Sequence, residues 1–275
     1  MEDSRHSGAA GGAFGAVAPL VDMGEFPSWI IFEDENFLVL NKPGWLVCHP
    51  SKNGPLSSLV GAAREYLKAD TLHLVNRLDR ETSGVVALAK NRAAASVAQK
   101  SVDAGGGAKK KYLAILRGSL KWRVTVAQPL ADDKDSLVAI KTRCAVRKPS
   151  ARYAVTAFVP LAHSRNPDFE PCTLAEAELL TGRKHQIRAH AQWAGHQVVG
   201  DKIYGPDETL YLDFIEKGYT PEMAEILPMP RQALHAYELD LSCAFANARF
   251  RAPLNADMLD FAESRGLDIP ARFRA

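Results

Sequence analysis

The chain has 275 residues, of which 47% are hydrophobic and 24% charged, and its formal net charge is +2. These values are typical of a globular protein with one large domain or two small ones. No apolar run approaches the roughly 20 residues of a membrane helix. Glu2 and Asp3 stand where a secretory signal would be basic. We therefore expect a cytoplasmic protein without membrane contact.

The first 26 residues are rich in Gly and Ala and lack periodicity, which predicts a mostly disordered leader. We expect one folded domain over residues 27–275. Alternating and apolar runs predict strands, and amphipathic spacing predicts helices. The predicted strands are Trp29–Glu33, Phe37–Asn41, His73–Val75, Val85–Ala89, Lys111–Arg117, Tyr153–Pro160, Cys172–Leu180 and Ala233–Leu241. The predicted helices are Leu56–Leu67 with Ser57 as its N-cap, Asn91–Asp103 and Gln186–Ala194.

Strands outnumber helices in this pattern, and the connections between them are irregular. That combination favours an α+β fold with a large mixed or mostly antiparallel sheet over the regular alternation of a doubly wound fold. Four cysteines, none in a CxxC pair, predict buried reduced thiols and no zinc site. They are Cys48, Cys144, Cys172 and Cys243.

The basic residues are unevenly distributed. Residues 77–121 contain ten Lys or Arg and three acids, and residues 141–152 contain five cations and no acid. Local basic fields in a nearly neutral chain are typical of a face that binds a polyanion such as RNA. A set of solvated surface charges is the alternative interpretation.

The segment Asn76–Gly84 reads NRLDRETSG and places Asp79 between two arginines. Neighbouring cations favour the ionised carboxylate, and a loop that leads into an apolar strand is a common place for a functional side chain. A surface ion-pair cluster without function is the alternative.

A second segment, Thr181–Gly205, contains His185 and Arg188 three positions apart, so that they share a helix face. Arg188 is suited to a two-pronged contact with a carboxylate from another segment. The histidines at 185, 190 and 196 do not match a metal-binding spacing. We expect them to be structural and predict no metal.

Several short motifs resemble, in the same order, those of the RluA family of pseudouridine synthases. They cover roughly residues 30–255 and are Lys42-Pro43-Gly44 with His49-Pro50, Arg77–Gly84, Lys111–Ala114, Gly182–His190, Gly200–Gly205 and Leu234–Ala236. The resemblance implies a pseudouridine synthase fold and the isomerisation of uridine in a structured ribosomal or transfer RNA. It implies no cofactor, because the chemistry involves neither redox nor phosphoryl transfer. We also expect a monomer, and no S4-like RNA-binding segment before the catalytic domain.

By this resemblance, Asp79 is the catalytic carboxylate, and Arg188 makes the salt bridge that orients it. Tyr112 is the residue whose ring stacks on the uracil. The same resemblance makes Arg77 the side chain that fills the gap left by a flipped base. The remaining predicted RNA contacts are Lys109, Lys110, Lys111, Arg183, Lys184 and His185.

Two positions depart from the family pattern. Asn76 stands where the family usually has histidine, and we expect this change to affect how the loop packs or how the target base is displaced rather than the chemistry. Lys184 adds a cation where Thr or Ser is usual. Two rival functions remain at this stage: a non-catalytic RNA-binding protein and a sugar-cleaving hydrolase. The hydrolase would usually need a second carboxylate, and Glu81 is the nearest in sequence.

Overall fold

The architecture comes from a computed structural model, which describes residues 19–49, 54–103, 105–146 and 148–274. Its strands are β1 Ile30–Glu33, β2 Phe37–Lys42, β3 His73–Leu74, β4 Ser83–Ala89, β5 Lys109–Arg117, β6 Val124–Val126, β7 Leu130–Asp132, β8 Thr142–Cys144, β9 Thr156–His163, β10 Cys172–Leu179, β11 Leu234–Asp240 and β12 Arg249–Arg251. Its α-helices are α1 Leu59–Leu67, α2 Arg92–Val102, α3 Gln186–Trp193, α4 Thr209–Lys217, α5 Pro221–Ile226 and α6 Ala256–Ser264.

Within the described ranges, ten strands form one mixed sheet. The main path runs β1-β2-β4-β11-β5-β10-β9-β6, with β3 paired to β4 and β12 paired to β11. Among the described strands of this sheet, only β4 and β11 pair in parallel, and they do so over two positions, His235 with Ser83 and Ala236 with Gly84. This short parallel contact, called the seam below, joins a part of the sheet built from β1–β4 to a part built from β5–β11. The α+β prediction with a large mixed sheet is therefore confirmed.

Buried side chains lie on both faces of the sheet. Strand β5 is central, so both of its faces are covered and Tyr112 to Leu116 are all buried. A cluster of apolar side chains around Leu113, Leu174 and Ile187 packs α3 and α6 against β5 and β10. A second cluster packs the alanine face of α2 onto β4. The central strands are thus fixed from both sides.

Helix caps explain where the first two helices begin. The hydroxyl of Ser58 accepts a hydrogen bond from the backbone N–H of Gly61 at 3.1 Å, and the side chain of Asn91 accepts one from Ala94 at 2.9 Å. Such caps satisfy N–H groups that have no partner inside the helix. The predicted cap Ser57 is wrong by one residue, because Pro55–Ser57 form a 3-10 turn before α1.

The packed chain begins earlier than predicted. Val21 is 3% exposed and Phe26 is fully buried, and both belong to the core cluster formed with α1 and β2. The predicted leader of residues 1–26 therefore ends too late, because two apolar residues of its last part have places in the core. Its residues 1–18 lie outside the described residues.

The thiols follow the prediction only in part. All four cysteines are free, and Cys48 and Cys172 are buried, but Cys144 is half-buried and Cys243 is exposed. Cys243 lies in the turn after β11 that leads toward β12, where the chain leaves the core. In the part of the chain that the structure describes, no helix has both the length and the apolar character needed to cross a membrane.

Candidate active site

Asp79 lies in a tight turn that leads into β4. The backbone N–H of Thr82 donates to the carbonyl of Asp79 at 3.2 Å, and the Thr82 hydroxyl accepts from Gln232 at 2.6 Å. Gly84 follows with φ +109°, and a Cβ built there would lie 2.2 Å from the carbonyl oxygen of Ala236. Only glycine permits both the conformation and the approach. The turn is therefore fixed where β4 meets β11.

Three buried cations bind the turn that contains Asp79. Lys42 is fully buried, and its ammonium donates to the carbonyls of Pro43, Leu46 and Arg80 at 2.8, 2.7 and 2.9 Å. Arg231 donates to the carbonyl of Glu81 at 3.1 Å, and Lys202 donates to the Glu81 carboxylate at 2.7 Å. Because these donors bind the two residues that follow Asp79, the turn has little freedom to move.

Asn76 joins the start of this loop to β4. Its side-chain amide donates to the carbonyl of Val85 at 2.9 Å, and its oxygen accepts from the backbone N–H of Ala87 at 2.9 Å. An amide side chain offers a donor and an acceptor in one plane, as a backbone peptide does. Asn76 thus continues the pairing of β3 with β4, which accounts for its presence in the loop.

Arg188 connects Asp79 to a second carboxylate. One guanidinium nitrogen donates to Asp79 at 2.9 Å, while Nε and the other terminal nitrogen donate to the two oxygens of Asp201 at 2.6 and 2.8 Å. The side chain of Asp79 is 32% exposed, whereas those of Arg188 and Asp201 are almost fully buried. Asp201 also accepts from the backbone N–H groups of Ile203 and Tyr204. Arg188 is therefore oriented from the interior, with Asp79 at the open end.

His185 forms the second wall beside Asp79. It caps α3 in a left-handed conformation with φ +55°, which is unusual for a residue other than glycine. Its Nε2 lies 3.8 Å from the Asp79 carboxylate, and its Nδ1 lies 3.1 Å from the hydroxyl of Tyr204. The preceding loop is held by Gln186, whose side chain accepts from the Thr181 hydroxyl and from the Arg183 N–H.

These contacts determine the protonation states of Asp79 and His185. Burial pushes the pKa of Asp79 upward, but the guanidinium of Arg188 and its hydrogen bond outweigh burial and keep that pKa below its usual value. Burial, with the nearby Arg188, lowers the pKa of His185 to about 4. At neutral pH Asp79 is therefore ionised and His185 is neutral, so Arg188 is the cation that faces the carboxylate.

Tyr112 reaches the same site from β5. With Asp79, Arg77 and Arg188 it lines a cavity of ≈ 70 Å³. A second cavity of ≈ 440 Å³ opens on the other side of Asp79, toward Lys202 and Tyr211. Burial and the charge of Asp79 raise the pKa of Tyr112 well above its usual value, so the phenol keeps its proton at neutral pH. The site thus combines an ionised carboxylate, a clamped guanidinium and a neutral phenol.

Residues 36–193 match the family described as RNA pseudouridylate synthase. This segment contains Asp79, Tyr112 and Arg188. The chain belongs to this family. Its resemblance to RluA-type members, seen in the motifs, is confirmed.

Curated relatives of this pseudouridine synthase chain include two bacterial proteins. An uncharacterized RNA pseudouridine synthase of Mycoplasma pneumoniae is 37% identical over 205 residues, which are 74% of this chain and 64% of that relative. The ribosomal large subunit pseudouridine synthase C of Vibrio parahaemolyticus is 31% identical over 254 residues, which are 89% of this chain and 69% of that relative. Among solved structures, Human RNA Pseudouridylate Synthase Domain Containing 4 superposes with a TM-score of 0.68 at 24% identity, covering 90% of this chain and 97% of that one. This last likeness shows the shared fold.

The cations predicted to contact RNA do not all line the small cavity at Asp79. Arg77 is exposed and lines the small cavity, and Arg183 and His185 line it too. Lys184 is exposed and lies 3.4 Å from Asp132. Arg183 and His185, on either side of Lys184, thus place the loop Thr181–His185 at the mouth of the small cavity.

The three lysines predicted to contact RNA at positions 109–111 form the first part of β5, between β11 and β10. The ammonium of Lys111 lies 2.9 Å from Glu176 and 3.5 Å from Glu178, so its charge is compensated across the strands. Lys110 donates to the carbonyl of Val102, and Lys109 is exposed.

Sequence reasoning missed the residues that support the site. Lys42 and Asp201 stand in two of the quoted motifs, but no role was predicted for either. Arg231 carried no signal at all, although it binds Glu81 and pairs with Asp257. The signal available for Asp201 was its place in the Gly200–Gly205 motif, next to the segment that supplies Arg188.

Proposed function

We propose that this chain isomerises uridine to pseudouridine in ribosomal or transfer RNA, with Asp79 as the catalytic carboxylate. The observation that carries the proposal is the contact of Asp79 with Arg188, beside Tyr112, at the mouth of an RNA pseudouridylate synthase fold. Ribosomal RNA is favoured as the substrate because the Vibrio parahaemolyticus relative is named for the large ribosomal subunit. We further propose that the protein works in the cytoplasm as a monomer.

The reaction breaks the bond between C1′ and N1 of the uracil and forms one between C1′ and C5. The hydrogen on C5 leaves as a proton, and N1 ends with a proton, so atoms balance without a redox partner. Asp79 serves either by attacking C1′ to form a glycosyl ester or by removing the C2′ proton. Both routes need an ionised carboxylate that is held in place, which is what Arg188 and Asp201 supply.

The protonation state of Tyr112 limits the roles that its side chain can have in the reaction. Its ring is placed to stack on uracil, a contact that needs no ionisation. A phenol that keeps its proton removes the C5 proton only if it passes its own proton to another acceptor in the same step. Asp79 lines the same cavity and is such an acceptor once the new glycosidic bond has formed.

The target base has to leave the RNA helix before it reaches Asp79, which costs a few kcal/mol. Arg77 is exposed at the rim of the small cavity, and its planar guanidinium is suited to stack in the place of the flipped base. We assign the base-replacing contact to Arg77.

A hydrolase with two working carboxylates fits this site less well. Glu81, the second carboxylate that sequence suggested, accepts a hydrogen bond from the Lys202 ammonium at 2.7 Å. A glycoside hydrolase usually needs two carboxyl groups that face the scissile bond. Glu81 is instead engaged in this ion pair.

Release of tritium from RNA labelled at C5 of uridine tests the proposal. We expect release without free uracil from unmodified transcripts of ribosomal or transfer RNA. Free uracil would indicate a hydrolase, and the absence of release from every cellular RNA would indicate a binding protein. Either outcome would overturn the proposal.

The variant Asp79→Asn tests the role of the carboxylate itself. We expect no measurable tritium release, while the affinity for RNA stays within about tenfold, because the basic surface and the fold are retained. Affinity is measured by gel shift beside the wild type. Retained turnover would contradict the assignment of Asp79, and loss of binding would contradict a purely catalytic role.

A further inference from the structure

A basic groove lies beside the site and is larger than either cavity at Asp79. Its volume is ≈ 570 Å³, and it runs between the β7–β8 hairpin and the loop Thr181–His185. The residues that line it are Leu130, Ala131, Asp132, Lys134, Thr142, Lys148, Ser150, Arg152, Gly182, Arg183 and Lys184. Neither Asp79 nor Tyr112 is among them. We call it the hairpin groove.

The hairpin groove is strongly positive. Five of its lining residues are Lys or Arg and one is acidic. That acid, Asp132, lies 3.4 Å from the ammonium of Lys184, and its backbone carbonyl accepts from Lys148. Among the described residues no carboxylate lies within ion-pair distance of Lys134 or Arg152, and both are exposed. Unpaired cations gathered in a concave surface raise the local concentration of a polyanion.

The groove continues into the active site through one side chain. Arg183 lines the hairpin groove and also the small cavity with Asp79 and Tyr112. Its Nε donates to the carbonyl of Tyr153 at 3.1 Å, which fixes it between the two spaces. A strand that delivers a uridine to Asp79 therefore passes Arg183 and meets the groove within its next few nucleotides.

The surroundings favour RNA over a small anion. The groove is open rather than closed around a single group, and its cations come from separate segments along its length. Tyr153, next to Arg152, is 65% exposed, and an exposed aromatic ring beside a basic groove is suited to stack on a base. These are features of a surface that follows a nucleic-acid backbone.

We propose that the hairpin groove binds the sugar-phosphate backbone of the RNA strand next to the target uridine, through Lys134, Lys148 and Arg152. The inference rests on the proposed function for the identity of the target, but its test measures binding alone. It assigns to the β7–β8 hairpin the task of holding the substrate strand outside the catalytic pocket.

The triple variant Lys134→Gln/Lys148→Gln/Arg152→Gln tests this assignment. Each lost phosphate contact lowers the slope of log affinity against log salt by about 0.7 to 0.9. We therefore expect the slope to fall by about 2 to 3 for an unmodified large-subunit ribosomal RNA transcript, measured between about 50 and 200 mM KCl. Wild-type protein and the variant are compared on the same RNA.

A matched control removes the same charge elsewhere. Lys68, Arg165 and Lys217 are exposed, each pairs with a nearby carboxylate, and none lines the groove or the cavities at Asp79. The variant Lys68→Gln/Arg165→Gln/Lys217→Gln should keep the wild-type slope within about 0.5. If the groove variant and the control lower the slope equally, only net charge matters and the proposal is wrong.

Two further results complete the test. Inorganic phosphate at constant ionic strength should not compete with RNA, since saturable competition would show a small-anion site instead. If the triple variant fails to fold, Lys134→Gln and Arg152→Gln alone should each lower the slope by about 1. If the groove variant has a lower slope but the wild type releases no tritium, the groove assignment holds and the proposed synthase function is wrong. If the wild type releases tritium but the slope of the groove variant is unchanged, the synthase function holds and the groove assignment is wrong.

Discussion

Arg188 is shared by two carboxylates, and this sharing affects how reactive Asp79 can be. Asp201 takes two of the guanidinium nitrogens and Asp79 takes one. A carboxylate that held the whole guanidinium would be tightly compensated and a weak nucleophile or base. Because the inner aspartate accepts most of the contact, Asp79 is aimed and kept ionised while it retains part of its charge for the substrate.

The variant Asp201→Asn is predicted to lower kcat by about 100-fold with RNA affinity within about threefold. The amide no longer matches the donors of Arg188, so the guanidinium loses its orientation, and breaking a buried pair also costs about 3 kcal/mol of unfolding free energy. Turnover is measured by tritium release with saturating RNA, and stability by urea unfolding.

A pH profile separates positioning from simple damage to the fold. Arg188 lowers the pKa of Asp79 more strongly than Asp201 raises it, so a guanidinium that loses its orientation lets that pKa rise. The acid limb of the activity profile should therefore shift to higher pH in Asp201→Asn. An unshifted limb with reduced kcat would mean that Asp201 has only a structural role, and full activity would remove it from the site.

At the scale of elements, the seam between β4 and β11 decides where Asp79 stands. The turn that carries Asp79 ends at the pair of positions where the two strands meet, and Gly84 makes their approach possible. Asp79 lies in the turn that leads into β4, Tyr112 lies on β5, and Arg188 lies on α3, which packs against β5 and β10. The arrangement of these three residues therefore depends on the contact between β4 and β11 rather than on any one element.

Gly84→Ala is predicted to lower the unfolding free energy by about 3 kcal/mol or more and to abolish turnover, because the new Cβ meets the Ala236 carbonyl at a positive φ. Gly105→Ala is the control: its φ is +88°, but its Cβ would have nothing within 4 Å. It should cost only about 1 kcal/mol. Urea unfolding and tritium release are measured for both, and equal losses would mean that backbone conformation alone explains the effect.

Much of the sheet was predictable because its strands carry their own pattern. The long strands β2, β4, β5, β10 and β11 are apolar or alternating, and each was placed within a few residues. The three-residue strands β6, β7, β8 and β12 were not predicted, since a strand that short is defined by its partner. The helices α4, α5 and α6 were also missed, although α4 and α6 are as long as the predicted α1.

The main residues of the candidate site were predictable, but the residues that support them were not. The motifs gave Asp79, Tyr112 and Arg188, and the structure brings the three together. A buried lysine such as Lys42 is rare, and nothing local marks it. The ion pairs of Lys111 depend on the register of β5 with β10, which no local pattern reveals. Sequence gave the residue types of the site, whereas their partners depend on tertiary contacts.

At the scale of the whole molecule, buried histidines tie stability to pH. His235 is fully buried, with Nδ1 at 2.9 Å from the Ser83 hydroxyl and Nε2 at 3.0 Å from the carbonyl of Ala252. Burial lowers its pKa to about 4, as burial also does for His185. Between about pH 6.5 and 4 the unfolded chain thus binds more protons than the folded one, so stability is lost as the pH falls through this range.

When the pH falls from 8 to 5, protonation of each of these two histidines in the unfolded chain is predicted to lower the unfolding free energy by about 2 kcal/mol. The variant His235→Gln, whose amide can serve both hydrogen-bond partners, should reduce the pH-dependent difference by about 2 kcal/mol whatever its absolute stability. Urea unfolding at the two pH values gives the comparison. An unchanged difference would show that His235 does not stay neutral in the folded protein.

The central place of β11 also sets when the site comes into existence during synthesis. Residues 234–240 leave the ribosome after Asp79, Tyr112 and Arg188, with a delay after Asp79 on the order of 10 s. Until then β4 and β5 have no strand between them. A nascent chain can therefore display its basic segments beside the ribosome's own RNA while it is still unable to modify any uridine.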